Sequence, residues 1–165
     1  MSYARAAAAA LLLLGLTLAS TTATAQVGFL ELDGVEGEAV HAGHEGWIDI
    51  LSVSYDWKAP ASAGRAQGRV RIDGLTVHKS PDATTPAVVE ALTRGRVLAS
   101  ATLHLTGRSD DGRETVVLAF EMTDVRVTAL AMADGQERVS LSFERATIAH
   151  PESSTEIEVT ASPGR

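Results

Sequence analysis

Beyond residue 26, apolar and polar residues alternate in short runs cut by clusters of Gly, Asp, Ser and Pro. Successive side chains of a strand point to opposite faces, so this pattern predicts a mainly β fold. It places strands at 27–32, 47–57, 68–78, 97–106, 115–122, 125–131 and 137–149. Val116, Leu118, Phe120 and Met122 share one face, preceded by Val97, Ala99, Ala101, Leu103 and Leu105 on one face of the run that should pair with it. Between them, Ser109-Asp110-Asp111-Gly112 offers a glycine for positive φ and carboxylates for local backbone bonds, which predicts a hairpin turn. Ala133-Asp134-Gly135 predicts a second, leading into a strand with Val139, Leu141 and Phe143 on one face and Ser140, Ser142 and Glu144 on the other.

One stretch breaks the rhythm. Thr85-Pro86 suits an N-cap and first helical residue, Val88, Val89, Ala91 and Leu92 recur at three- and four-residue spacing, and Arg94-Gly95-Arg96 ends the run with cations and a glycine. A helix this short is unstable alone and must lay its apolar stripe on the sheet. Seven strands and one helix suggest a closed or nearly closed barrel, because closure removes exposed edges. The tail from about 151 is polar and expected to fray at its end, although 155–160 alternates like an edge strand. The run 47–57 is apolar on both faces: Trp47, Tyr55 and Trp57 lie with Leu51 and Val53, opposite Ile48 and Ile50. Three readings fit it: a strand that swaps faces at a bulge, an outward face that meets another subunit, or an aromatic platform for a sugar.

The N-terminus carries a different signal. Arg5, an apolar run from Ala6 to about Ala19 and Ala23-Thr24-Ala25 form the three-part pattern of a cleavable signal peptide, with cleavage expected after Ala25. The run falls short of the ~20 residues that span a hydrocarbon core, so a permanent membrane helix is not expected. The organisation read from the sequence is therefore a signal peptide at 1–25 and a single domain at 26–165, exported to the periplasm or the medium.

Composition then excludes several functions. The chain has 165 residues, 45% of them hydrophobic, and a formal charge of −7 that becomes −8 when Arg5 is removed. Such an acidic chain is a poor match for a phosphate backbone. Cysteine is absent, which excludes disulfides and thiolate sites. His41 and His44, flanked by Glu38 and Glu45, would have ligand spacing on a helix, but they fall in a Gly-broken connection where a structural role is expected. Asp33-Gly34-Val35-Glu36-Gly37-Glu38 lacks oxygen side chains at the third and fifth positions of a calcium loop. Asp110 and Asp111 lie at a turn tip, whereas a general acid needs a pocket that raises its pKa. The chain contains no nucleophile elbow, zinc-protease motif, phosphate loop or dinucleotide fingerprint.

Four blocks, taken in order, resemble one family. They are Gly34 to Gly37-Glu38 with Gly43-His44-Glu45-Gly46-Trp47-Ile48-Asp49-Ile50-Leu51-Ser52-Val53-Ser54-Tyr55; Val70-Arg71-Ile72-Asp73-Gly74-Leu75-Thr76-Val77-His78-Lys79; Thr84-Thr85-Pro86-Ala87-Val88-Val89-Glu90-Ala91; and Glu137-Arg138-Val139-Ser140-Leu141-Ser142-Phe143-Glu144. Together they resemble the Hcp family, the haemolysin-coregulated tube subunits of type VI secretion, over residues 28 to about 150. The resemblance implies an antiparallel β-barrel with one short helix packed on it. It further implies a hexameric ring that stacks into a hollow tube and holds cargo in its lumen, with no enzyme activity and no cofactor. The partners it implies are further copies of the chain, and beyond them secreted effectors or other secretion components. The family's extended loop after the second strand corresponds to Lys58-Ala59-Pro60-Ala61-Ser62-Ala63-Gly64-Arg65-Ala66-Gln67-Gly68. Subunit contacts are accordingly expected at Trp57, Lys58, Pro60, Arg65 and Gln67. The leader at 1–25 departs from the family's tube subunits. Beside the tube subunit stand an exported Hcp-like binding module of the cell envelope and a small secreted enzyme with a dispersed site.

Overall fold

The computed structural model describes residues 28–58, 71–109 and 111–160; the expected signal peptide, the 59–70 connection and the last five residues lie outside them. The elements run β1 (Gly28–Leu32), β2 (Ile48–Ile50), β3 (Ser52–Lys58), β4 (Arg71–Lys79), α1 (Thr85–Arg94), β5 (Val97–Arg108), β6 (Glu114–Ala133), β7 (Gln136–Ser142), β8 (Arg145–His150), a 3-10 turn at Pro151–Ser153 and β9 (Thr155–Thr160). The expected mainly β class with one short helix is what forms, and every strand pairing is antiparallel.

The sheet follows the order β2-β1-β5-β6-β7-β4-β3, with β8 and β9 branching from β6. It is not closed by a ladder, in contrast to a fully closed barrel. Its two ends, β2 and β3, are consecutive stretches of one segment joined at Leu51, whose amide donates to the His78 carbonyl of β4 at 2.8 Å. The sheet therefore curls round through the chain itself. Leu51 also resolves the two apolar faces of 47–57. Ile48 and Ile50 are fully buried before the bend, and Val53 and Trp57 turn to the core after it. The strand swaps faces, so its double apolarity is explained within one chain.

Two expected strands, 115–122 and 125–131, are one. Asp124 has φ 54°, yet the ladder to β5 continues on both sides of it, through Ser100↔Thr123 and Leu98↔Val125. This kink also corrects the inward face of β5. Leu98 is buried while Val97 is 42% exposed, because both strands turn over together between Leu98 and Ala101. Conversely, the expected strand 137–149 divides at Phe143-Glu144. β7 and β8 lie end to end along the same edge of β6, and beyond them the sheet forks: β4 flanks β7, and β9 flanks β8. The 155–160 segment is thus a paired strand of the described fold.

The two hairpin turns form as expected. Asp134 and Gly135 have φ 52° and 75°, the double left-handed step that matches strand twist. At the other turn Gly112 has φ 80°, and Ser109 exchanges backbone bonds with Gly112 and Arg113. The helix differs by one residue at its start. Thr84 holds the N-cap position and Thr85 is already helical, while Gly95 closes the C-terminus in the left-handed region. Val88 and Ala91 are buried beneath it.

Leu30, Ile48, Ile50, Val77, Leu98, Leu103, Phe120, Met122 and Leu141 form the centre of one contiguous core. Each buried aliphatic or aromatic side chain contributes roughly 1.5–3 kcal/mol. Leu141 lies between Leu75 of β4 and Val127 of β6 and is 1% exposed. Leu141→Asp would strand a charge there, at a cost of several kcal/mol against a total of about 5–15 kcal/mol. The expected outcome is loss of the cooperative thermal transition in circular dichroism.

Candidate functional site

Lys79, at the end of β4, is a charged residue only 1% exposed. Its ammonium donates to Glu137 Oε2 at 2.8 Å and the Ser80 carbonyl at 2.9 Å, and pairs with Asp82 Oδ1 at 2.9 Å. Glu137, also 1% exposed, accepts from the Thr85 hydroxyl at 2.8 and 3.0 Å. Asp82 accepts from the Thr84 amide at 2.8 Å and the Thr84 hydroxyl at 2.5 Å. Two carboxylates therefore lie at the first turn of α1, where the unpaired amides and helix dipole favour negative charge. Burial works to raise the Asp82 pKa, but the Thr84 and Lys79 bonds outweigh it and hold it below its ordinary 3.8. The stability this carboxylate adds is complete above that value and is lost as pH falls below it. The sequence reading placed Glu137 on a strand and missed this cluster. The available signal was an acidic residue in phase with the inward Val139 and Leu141.

A second cluster lies on the opposite, outer face of the sheet. Phe29 is cross-strand neighbour to Asp49 and His104, a row on the face away from Leu30 and Leu103, yet it is only 1% exposed. The connection 36–47 covers it. Within that connection, the Gly37 and Ala39 amides bond the Gly46 and Trp47 carbonyls, and the Gly46 and Trp47 amides bond Ala39 and His44. A Cβ on Gly37 would lie 2.1 Å from the Trp47 carbonyl oxygen, so only glycine allows this closure. His44 stacks flat on Phe29 at 4.2 Å and meets Trp47 edge-on at 4.9 Å. Its Nε2 is 2.8 Å from Nδ1 of His104 on β5, and its buried Nδ1 has no partner among the described residues. His41 is more exposed, with Nε2 3.6 Å from Glu114. His44 thus engages His104 on the outer face of the sheet, a pairing that local sequence spacing does not reveal. Among the described residues no group of three or more His, Asp or Glu side chains is placed to hold a metal.

Of the expected contact residues, Trp57 is described in full. Its ring lies 5.1 Å from Tyr55 and 6.3 Å from Phe120, and its indole N–H is buried without an acceptor among the described residues. Lys58 ends β3 and its backbone pairs with Arg71, so the 59–70 connection leaves and re-enters the sheet at adjacent strands. Pro60, Arg65 and Gln67 lie outside the described residues. Trp47 belongs to the histidine cluster and Tyr55 to the Trp57 end, so the three aromatics do not form one sugar platform.

Among the described residues, one surface depression is bounded by Arg108, Asp111, Arg113 and Glu114 and another by Glu31, Asp33, Glu36 and Trp47. Asp111, at the first, is exposed. Bonds from the Ser109 hydroxyl and Arg113 amide lower its pKa, the opposite of what a general acid requires. Asp110 lies outside the described residues.

An antiparallel sheet curled round one core, with its buried charges used to dock a single helix, defines a scaffold-type β protein. The chain belongs to the Hcp family of type VI secretion: the family described as "Type VI secretion system effector, Hcp" matches residues 29–150. It is thus a type VI secretion tube or effector protein of a structural, secreted family. No curated protein sequence matches it. Among solved structures it is similar to a mutant form of Hcp1 from E. coli EAEC 042, at 20% identity and TM-score 0.73 over 82% of this chain and 99% of that one. It is similar to the secreted protein Hcp3 from Pseudomonas aeruginosa at 15% identity and TM-score 0.72, covering 82% and 99%. A type VI secretion system effector from Yersinia pestis gives 21% identity and TM-score 0.65, covering 80% and 96%. At these identities the likeness is one of fold. Among the described residues no helix is long and apolar enough to cross a membrane.

Removing one partner of a buried ion pair leaves the other charge uncompensated, typically at about 3–5 kcal/mol. Glu137→Gln leaves Lys79 with Asp82 as its carboxylate partner and is therefore expected to lower the melting temperature by an amount set by part of that cost. Exposed Glu90→Gln, whose carboxylate pairs with Arg94 on the helix surface, should leave it nearly unchanged in the same thermal scan.

Proposed function

We propose that this chain is a non-enzymatic ring-forming subunit that assembles as a homo-hexamer, stacks into a tube and carries secreted cargo in its lumen. Membership of the Hcp family over residues 29–150 is the observation that carries this reading. A cyclic ring needs two unlike contact patches on each subunit. Among the described residues β2, β3 and β9 each have a ladder partner on one side only, and the two longer ones, β3 and β9, offer such edges. Tyr55 and Ile157, 50% and 58% exposed, place apolar surface on those same strands. The contact arm is 58–68, with Trp57, Lys58, Pro60, Arg65 and Gln67 as the contact residues, and β3 carries Trp57 and Lys58 to its root. Residues 26–165 form the single mature domain, released from a signal peptide at 1–25 into the periplasm or the medium. That leader favours a second reading, an exported Hcp-like envelope binding module that builds no tube.

Light scattering after size exclusion should give a mass near six subunits, with ring-shaped particles on imaging. A monomer at high concentration overturns the ring and selects the binding module. Arg65→Glu or deletion of 61–66 should lower the assembled mass while leaving the β circular dichroism spectrum unchanged; undiminished assembly of the deletion overturns the contact arm. Protein recovered from outside the producing cell's cytoplasm should begin at Gln26 by intact mass, and a retained leader would contradict export by cleavage.

A further inference from the structure

We infer that the 36–47 connection is a pH-sensitive latch, held shut over Phe29 by the His44–His104 contact and released by acid. The argument begins with the protons. A 2.8 Å contact between His44 Nε2 and His104 Nδ1 needs one N–H and one lone pair. His44 Nδ1 is buried without a partner among the described residues, so any form that protonates it leaves an N–H with none of them to donate to. If His44 is cationic, Nδ1 carries a proton. If His104 is cationic, its Nδ1–H must donate to His44 Nε2, and the proton of His44 then moves to Nδ1. The pair with both rings neutral and His44 donating is the form that orphans no N–H. Two cations would bring two N–H groups face to face.

The surroundings do not reverse this. His41 and Glu45 on the latch, Asp49 on β2, Glu31 on β1, and Glu114 and Glu121 on β6 are the charged or titratable groups around the pair. Burial, then His104 and His41, lower the His44 pKa from its ordinary 6.5, against opposing effects of Glu114 and Glu45. Burial likewise lowers that of His104, against Glu121. With the folded pKa values depressed, the latch is fully held above about 6.5 and weakens as pH falls below it. Opening lifts an aromatic ring pair rather than a barrel strand. The backbone bonds of 37–47 are made mainly within the connection, while the β1–β5 ladder beneath is separate. Release therefore uncovers Phe29 on the outer wall and leaves the core intact.

Hydrogen exchange on the full chain between pH 7.5 and 5 tests this, after correction for intrinsic rates. In peptides covering 37–47, the opening constant should rise with falling pH below about 6.5, by up to roughly tenfold per pH unit for each imidazole that gains a proton. Peptides from β7 should not follow. In the double variant His44→Phe, His104→Gln the pH dependence should vanish. Protection of 37–47 that is pH-independent in the native chain, or equally pH-dependent in the variant, overturns the latch. Should the variant fail to fold, the imidazole C–H resonances of the native chain decide: titration of both rings below 6.5 supports the latch, and titration of either at or above it overturns it. The readout concerns one subunit's outer wall, so it stands or falls separately from ring assembly.

Discussion

The ammonium of Lys79 is the charge around which the fold is organised. A cation at 1% exposure is tolerable only if oxygen atoms surround it, and Ser80, Asp82 and Glu137 bring those atoms from the β4 exit, the approach to α1, and β7. The same carboxylates take hydrogen bonds from Thr84 and Thr85 at the helix start. One group of side chains thus sets the position of a helix too short to stand alone, and it does so beside the Lys79↔Glu137 step of the β4–β7 ladder. An apolar contact would hold the helix down with similar energy. The ion cluster also specifies where along the sheet the helix begins, because a misplaced start would leave a buried charge unpaired.

From that fixed point the sheet grows along β6. Its twenty residues pair with β5 on one edge and with β7 and β8 in tandem on the other. The division at Phe143-Glu144 lets the β7 half curl toward β4 while the β8 half carries β9 away from it. At the far side, Leu51 bends one segment between two partners, β1 and β4. A curved sheet needs such breaks, since pairing and face alternation cannot both continue unchanged round a tight turn. Placement of the one-sided strands β3 and β9 follows from these breaks.

The outer wall shows how a polar connection becomes part of the structure. Phe29 faces away from the core and is buried by imidazole stacking, so its cover is titratable whereas the core beneath it is not. Such a cover adds packing at neutral pH at little cost. The proposed latch places it at the low-stability end of the molecule, where local opening occurs without global unfolding.

Much of this was legible in the chain. Period-two alternation located nearly every strand, Asp134-Gly135 and Gly112 announced their turns, and Pro86 and Gly95 bracketed the helix, because each signal depends on φ, ψ and side-chain direction within a few residues. The resemblance in four ordered blocks reached the family over the same residues that the family match covers. Where the reading missed, the missing information was non-local. Thr123-Asp124 looks like a break until Ser100 and Leu98 pair on either side of it. Phe143-Glu144 looks continuous until β9 claims the space beside β8. Glu137 looks like an ordinary surface acid until Lys79, 58 residues away, is placed against it, and His44 looks like a loop histidine until His104, 60 residues away, meets its ring. Local sequence determined which residues extend, turn or coil. Only tertiary structure decided which buried charge and which imidazole would find a partner, since that pairing requires desolvation by elements far apart in the chain.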